Sequence, residues 1–230
     1  YFSREGAAYS LTRTHMNSCD FSLSSYAYAD VPGDKKLKNF SIEEDMDDLI
    51  PLIKDAMNVE TADFKILSSA WTAPPWMKDN KDWFGGSLLP EYYDTWALYF
   101  CKYIEAYAKQ GIPIWGVTTL NEPLGNNSQW ESMIFNPEEM KNFVKNNLGP
   151  KFADKDINAK ILIYDQNRNH LEEWANAILN DPEAGKYVWG TAVHWYSSTV
   201  EWYPEELNAA HKNFPDKHLM HTEGCIDAEV

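Results

Sequence analysis

The sequence predicts a parallel α/β fold curled into a (β/α)8 barrel. Three observations carry that prediction. Six strand-like runs alternate strictly with helix-like segments, the pattern of a parallel sheet with right-handed crossovers. Polar residues cluster directly after each run, on what becomes the C-terminal edge of the sheet. An open doubly wound sheet gathers its ligand residues at one switch point, so functional-looking residues after all six runs favour the barrel. No glycine-rich phosphate loop follows any run, which argues against nucleotide binding.

Residues 7–16 alternate roughly and read as the first strand, with Asn17-Ser18-Cys19-Asp20-Phe21 as its C-terminal loop. Residues 22–40 are polar, turn at Pro32-Gly33, and read as a long loop walling a cleft. Ser41-Ile42-Glu43-Glu44 reads as a capping box, with Met46, Leu49, Ile50, Ile53 and Met57 at helical spacing behind it. Phe64 to Ala70 is the second strand, ending in Trp71-Thr72-Ala73-Pro74-Pro75-Trp76. A loop from Lys78 to Leu89 leads to an aromatic-rich amphipathic helix, Tyr92 to Gln110, closed by Gly111-Ile112-Pro113.

The third strand starts at Ile114 as a buried apolar run and stops at Asn121-Glu122-Pro123, because proline cannot continue the ladder. Asn136-Pro137-Glu138-Glu139 opens a helix that Gly149-Pro150 is expected to end. Ala159 to Tyr164 is the fourth strand, with Asp165 to Arg168 at its tip. Helices over 170–179 and just after Asp181-Pro182 precede the fifth strand, Trp189 to Val193, and its tip His194-Trp195-Tyr196. A helix over 204–213 leads to the last strand, His218 to Thr222, ending in Glu223-Gly224-Cys225.

The length of 230 residues and a 44% hydrophobic content suffice for one domain core over residues 1–230. The chain opens at Tyr1 with no initiating methionine and reads as part of a longer protein, with no signal peptide visible. No apolar run reaches the roughly 18 residues of a membrane span, so stable membrane insertion is not expected. A net charge of -15 repels nucleic acid and anionic membrane and suits a neutral substrate. Cys19, Cys101 and Cys225 make no disulfide framework and read as free thiols.

Glu122 and Glu223 end two of the strands. A retaining glycosidase needs one protonated and one ionised carboxyl about 5 Å apart on a shared rim. Tips of the fourth and seventh strands of a barrel can face each other across its mouth, which are the places these two take if the chain supplies strands 2 to 7. Glu122 then donates the proton, held in its acid form by desolvation and by the charge of the second carboxylate. Glu223 attacks as the nucleophile, kept ionised by hydrogen bonds and a cation. Arg13, mid-strand and pointing into the barrel, is the candidate cation.

Several segments, in this order and at these spacings, resemble the family 30 glycoside hydrolases of the glucosylceramidase and β-1,6-glucanase type. They are Ser18-Cys19-Asp20-Phe21-Ser22, Tyr26-Ala27-Tyr28-Ala29-Asp30, Trp71 to Lys78, Asn121-Glu122-Pro123, His194-Trp195-Tyr196 and Glu223-Gly224-Cys225. The resemblance runs along essentially the whole chain. It implies a retaining β-glycosidase on a TIM barrel, with Glu122 as acid/base and Glu223 as nucleophile. Asn121 becomes the donor to the sugar 2-hydroxyl, and Asp20 and Trp71 the binders of the far hydroxyls of a terminal glucose. Tyr196 becomes the neighbour hydrogen-bonded to the nucleophile, with His194 and Asp165 in support and Trp195 and Arg168 as further carry-overs. It implies no cofactor and no metal, a β-glucoside or β-glucan substrate, and a secreted or extracytoplasmic setting. Glucosylceramide-like glucosides and β-1,6-glucan both stay open. Family members carry a strand before the Arg13 strand, another after the Glu223 strand, and a β-sandwich built from both chain ends. The chain therefore reads as a partial barrel.

Two other functions are compatible with this sequence. One is a sugar-binding barrel without turnover. The other is a metal-dependent hydrolase using His15, His194 and His221, although no His-x-His or His-Glu-x-x-His spacing is present.

Overall fold

A computed structural model describes residues 1–126, 129–198 and 200–225. Six strands form one sheet: β1 (Leu11–Met16), β2 (Lys65–Ala70), β3 (Gly116–Thr118), β4 (Lys160–Asn167), β5 (Val188–His194) and β6 (His218–Glu223). Their spatial order is their chain order, and every neighbouring pair is parallel. The sheet is a curled partial TIM barrel, as the alternation of elements predicts.

Strand side chains alternate between two environments. Ile66, Ala70, Ile161, Ile163 and Val193 join the large core under the helices. Leu67, Leu162 and Ala192 point the other way and form a small cluster with Trp115, Trp189 and Met220 inside the curl. The helices α1 (Leu49–Met57), α2 (Tyr93–Lys109), α3 (Pro137–Phe143), α4 (Gly149–Asp154), α5 (Leu171–Leu179), α6 (Pro182–Gly185) and α7 (Pro204–Asn213) connect the strands. Helix α2 buries Trp96, Tyr99, Phe100, Tyr103 and Tyr107 along one stripe. Each such side chain contributes about 1.5–3 kcal/mol of hydrophobic stabilisation.

One buried carboxylate ties the cleft wall to this core. Asp45 accepts hydroxyl bonds from Tyr26 (2.7 Å), Tyr28 (2.6 Å) and Tyr107 (2.7 Å). Three phenol donors satisfy its oxygens, with no cation paired to it among the described residues, and fasten the segment after β1 onto α2.

Two helix boundaries differ from the sequence expectation. The capping motif at Ser41 produces only a 3-10 turn, Glu43–Asp45, and α1 begins at Leu49 with Asp48 as its cap. Pro51 explains this. It is tolerated in a first turn, but a helix running from Ser41 would place it in the interior, without its amide hydrogen and against a preceding carbonyl. Met46 is accordingly exposed. Nor does Gly149-Pro150 end a helix. A π-turn, Val144–Leu148, follows α3 and leads straight into α4. The wide turn closes with the Gly149 amide on the Val144 carbonyl, and Pro150, which has no amide to give, falls in the first turn of α4. A side chain at Gly149 would sit 2.2 Å from the Tyr187 ring, so glycine is required there for packing.

Candidate active site

The cleft lies at the C-terminal edge of the sheet and has a volume of about 1000 Å³. Arg13, Asp20, Trp71, Asn121, Glu122, Gln129, Trp130, Tyr196 and Glu223 line it. A carboxylate oxygen of Glu122, a ring nitrogen of His194 and a carboxylate oxygen of Glu223 all lie within 4.8 Å of one another. The tips of β3, β5 and β6 therefore meet over one point.

Arg13 organises the floor. Its Nη1 donates to Glu223 Oε2 at 2.5 Å, and its Nη2 to Asn121 Oδ1 at 2.7 Å and Asp165 Oδ2 at 2.8 Å. Its Nε donates to Ser69 Oγ at 2.9 Å, and the guanidinium lies 4.9 Å from the centre of the Trp71 ring. Burial opposes the charge, but Asp165 and Glu223 outweigh it and raise the Arg13 pKa. With Asn121 Oδ1 held by Arg13, its amide Nδ2 makes no hydrogen bond to any of the described residues.

Asp165 is fully buried and reaches the interior through a bulge. Leu162 faces the inside of the curl, so strict alternation would turn Tyr164 inward and Asp165 outward. Tyr164 (φ 74°) and Asp165 (φ 59°) instead adopt left-handed backbone where the register to β5 shifts. Tyr164 packs on Trp174 in the helix layer, and Asp165 points in. The Asp165 carbonyl accepts the Glu122 amide at 2.9 Å. Glu122 itself has a left-handed φ of 47°, so two unusual backbone positions hold each other. Asp165 also accepts from Thr118 (2.6 Å), Thr222 (2.6 Å) and His194 Nε2 (3.0 Å). Burial pushes against its ionisation, yet Arg13 and His194 hold its carboxyl well below the usual range.

His194 is fully buried between two carboxylates. Its Nε2 faces Asp165, and its Nδ1 lies 3.1 Å from Glu122 Oε1. Burial disfavours the charged ring, but Asp165 and then Glu122 overcome this and raise its pKa to about 9. Each ring nitrogen thus faces one carboxylate oxygen, which fixes the ring between β4 and the Glu122 loop. His15 Nδ1 lies 2.6 Å from the carbonyl of Asn17, and the His221 ring leans on Trp195. These three histidines do not converge on a common ligand point.

Asp20 is exposed at the cleft, where partial burial and the charges of Glu223 and Glu122 raise its pKa. The Tyr196 hydroxyl donates to Cys225 Sγ at 3.5 Å and lies in the field of Glu223; burial is the largest cause of its raised pKa. Trp195 is outside the cleft lining, and its indole donates to the Cys225 carbonyl at 3.1 Å. A Cβ on Gly224 would meet His221 and Trp195 below 3.0 Å, which explains the glycine after Glu223. Arg168 is nearly buried, 5.7 Å from the Trp202 ring. Cys19, Cys101 and Cys225 are free thiols.

The sequence reading overlooked Ser69, Thr118 and Thr222, whose hydroxyls surround Asp165. Their signal was present: polar residues inside otherwise apolar strands point into the curl. It gave no role to Gln129, or to Trp130 on the loop after Glu122, both on the cleft wall, since a loop sequence carries no period to orient its side chains. Among the described residues, no helix is long and apolar enough to cross a membrane.

The model of the glycosyl hydrolase family 30 TIM-barrel domain matches residues 1–230. The chain is 40% identical to lysosomal acid glucosylceramidase of Mus musculus, over all of this chain and 46% of that protein. It is 30% identical to endo-1,6-beta-D-glucanase of Neurospora crassa, over 97% of this chain and 47% of that protein. It thus spans less than half the length of each of these relatives. Among solved structures, SrfJ from Salmonella typhimurium superimposes with a TM-score of 0.91 at 33% identity, covering 99% of this chain and 52% of that one. An endo-beta1,6-glucanase superimposes with a TM-score of 0.89 at 34% identity, covering 99% of this chain and 52% of that one. With the family model matched from end to end, the chain belongs to glycosyl hydrolase family 30.

Proposed function

We propose that residues 1–230 act as the catalytic barrel domain of a longer protein that hydrolyses β-glucosidic bonds with retention of configuration. The observation that carries this reading is the approach of the Glu122 and Glu223 oxygens to within 4.8 Å. Retaining enzymes hold their carboxyls roughly 5–5.5 Å apart, whereas inverting enzymes need about 6.5–9.5 Å to admit a water. Glu223 attacks the anomeric carbon while Glu122 gives its proton to the departing glycosidic oxygen. A glycosyl ester on Glu223 results. Glu122 then takes a proton from water, the hydroxide attacks the same carbon, and Glu223 leaves as carboxylate.

The surrounding residues suit these roles. Arg13 holds the Glu223 carboxyl in place through Nη1 and brings a positive charge beside it. His194 fixes the orientation of Glu122. Asn121 Nδ2 is free to donate to the sugar 2-hydroxyl, a contact worth most in the transition state. Asp20 and Trp71 flank the position of a terminal glucose ring. Glucosylceramide-like β-glucosides and β-1,6-glucan are the substrates to test, given what the two named relatives act on.

The test uses the full-length protein with p-nitrophenyl β-glucoside and β-1,6-glucan. Loss of Glu122 as general acid/base is expected to cost about 10²–10⁴-fold in rate. Glu223→Gln is expected to cost more. A 2-fluoro-glucoside should add its mass to Glu223. Wild-type rates in both variants would overturn the proposal.

A further inference from the structure

Lys78 is completely buried, yet no carboxylate lies within ion-pair distance of it among the described residues. Its Nζ donates to Thr72 Oγ1 (2.8 Å), Asp82 O (2.7 Å) and Ser132 O (2.9 Å), with Trp83 O at 3.3 Å. Three short bonds satisfy the three ammonium hydrogens. Burial lowers its pKa to about 8, with Asp82 and Asp79 opposing the shift. A desolvated ammonium held by neutral oxygens costs free energy, so a gain elsewhere has to offset it.

The acceptors come from both sides of the cleft. Thr72 follows Trp71, which flanks the proposed glucose position. Ser132 lies two residues beyond Trp130, on the loop that begins at Glu122. That loop is closed at its base by the Phe135 amide on the Pro123 carbonyl at 3.0 Å. Its return leg is tied to the Lys78 loop by Ser132 on Trp83 (3.1 Å) and Ile134 on Gly86 (2.8 Å). The proton donor stands on the leaving-group side of a scissile bond, so the loop that follows Glu122 and carries Trp130 is the leaving-group wall.

We propose that Lys78 is a positioning residue that fixes the distance between the Trp71 wall and the Trp130 wall, and so selects a second sugar as leaving group. This rests on the glycosidase reading above. An aromatic plane such as Trp130 accepts the C–H face of a sugar ring only when it is set at the correct separation from the first ring. Lys78 touches neither sugar; it spans the two loops.

The experiment measures binding in the full-length Glu223→Gln background, by tryptophan fluorescence, for glucose and for a β-1,6-linked glucotriose. Lys78→Met should weaken the trisaccharide about tenfold, the equivalent of roughly 1.4 kcal/mol, and leave glucose within about twofold. Thr72→Val, close in shape, should shift the same ratio in the same direction and serves if Lys78→Met does not fold. Equal weakening of both ligands, or of neither, overturns the proposal and leaves Lys78 a structural anchor. Absence of binding by either ligand in the background protein overturns it as well. Failure of the hydrolytic reading shows separately, as a wild-type protein that binds the trisaccharide without cleaving it.

Discussion

Arg13 is the side chain whose loss should be felt most widely. It neutralises Asp165 and Glu223 at once and orients Asn121. Arg13→Met leaves two carboxylates facing each other in a part-buried site, and breaking a buried pair costs about 3–5 kcal/mol. Urea unfolding should show that loss, together with loss of activity, and a stability change under about 1 kcal/mol would contradict it. Arg13→Lys keeps the charge but cannot reach four acceptors from one ammonium, so activity should fall further than stability. His194 gives a pH-dependent counterpart. Its pKa is raised from about 6.5 when unfolded to about 9 when folded. The stabilisation it brings is therefore full below about pH 6.5 and fades as pH rises through about 9. Asp165, depressed in the fold, brings stabilisation that is present above its unfolded value and lost only in strong acid. Urea midpoints measured from pH 5 to 10 should fall on the alkaline side in the wild type and stay flatter in His194→Asn. Parallel curves would show that the buried ring does not carry the charge. At this scale Arg13 was legible in the sequence, because a charge in mid-strand has to be met inside the curl. Asp165 was legible as a strand-tip acid and, through the family resemblance, as a supporting residue, but nothing in Tyr164-Asp165-Gln166 announces the left-handed backbone that turns it inward.

Strand position decides what these side chains can do. β6 carries Glu223 and is held against β5 by a close approach at Gly190. A Cβ there would lie 2.4 Å from the His218 carbonyl, a backbone atom that cannot swing aside. Gly190→Ala should therefore displace β6, cost about 1–3 kcal/mol by overpacking, and reduce turnover with it. Thermal melts beside a glucoside assay would check this; an unshifted melt with full activity would mean β6 tolerates the shift. The strands and α2 were readable from periodicity. The start of α1 and the join from α3 to α4 were not. Both depend on how a proline fits into a turn already fixed by tertiary packing, at Pro51 and Pro150. Local motifs such as Ser41-Ile42-Glu43-Glu44 carry no information about that competition.

Across the whole molecule, the alternation of strand and helix made the parallel sheet legible, whereas the 4.8 Å meeting of two strand tips is a property of curvature that no single segment encodes. The same curvature leaves the described sheet open. β1 is paired only with β2, and β6 only with β5, so each presents one unpaired parallel edge. Inside the curl, Trp115, Trp189 and Met220 remain only partly buried around Leu67, Leu162 and Ala192. Unpaired edges beside apolar surface template further strands. The net charge of -15 opposes this, because like-charged copies repel. That repulsion acts over a Debye length of about 10 Å at 0.1 M salt and about 3 Å at 1 M, whereas edge hydrogen bonds and apolar contacts form at shorter range and are not screened away. Residues 1–230 expressed alone should therefore stay dispersed in low salt and self-associate as salt is raised, with an apolar dye binding to the monomer. The full-length protein should show neither. Light scattering across a salt series distinguishes the cases, and a monomeric, dye-silent piece at high salt would mean that the six strands close their own edges.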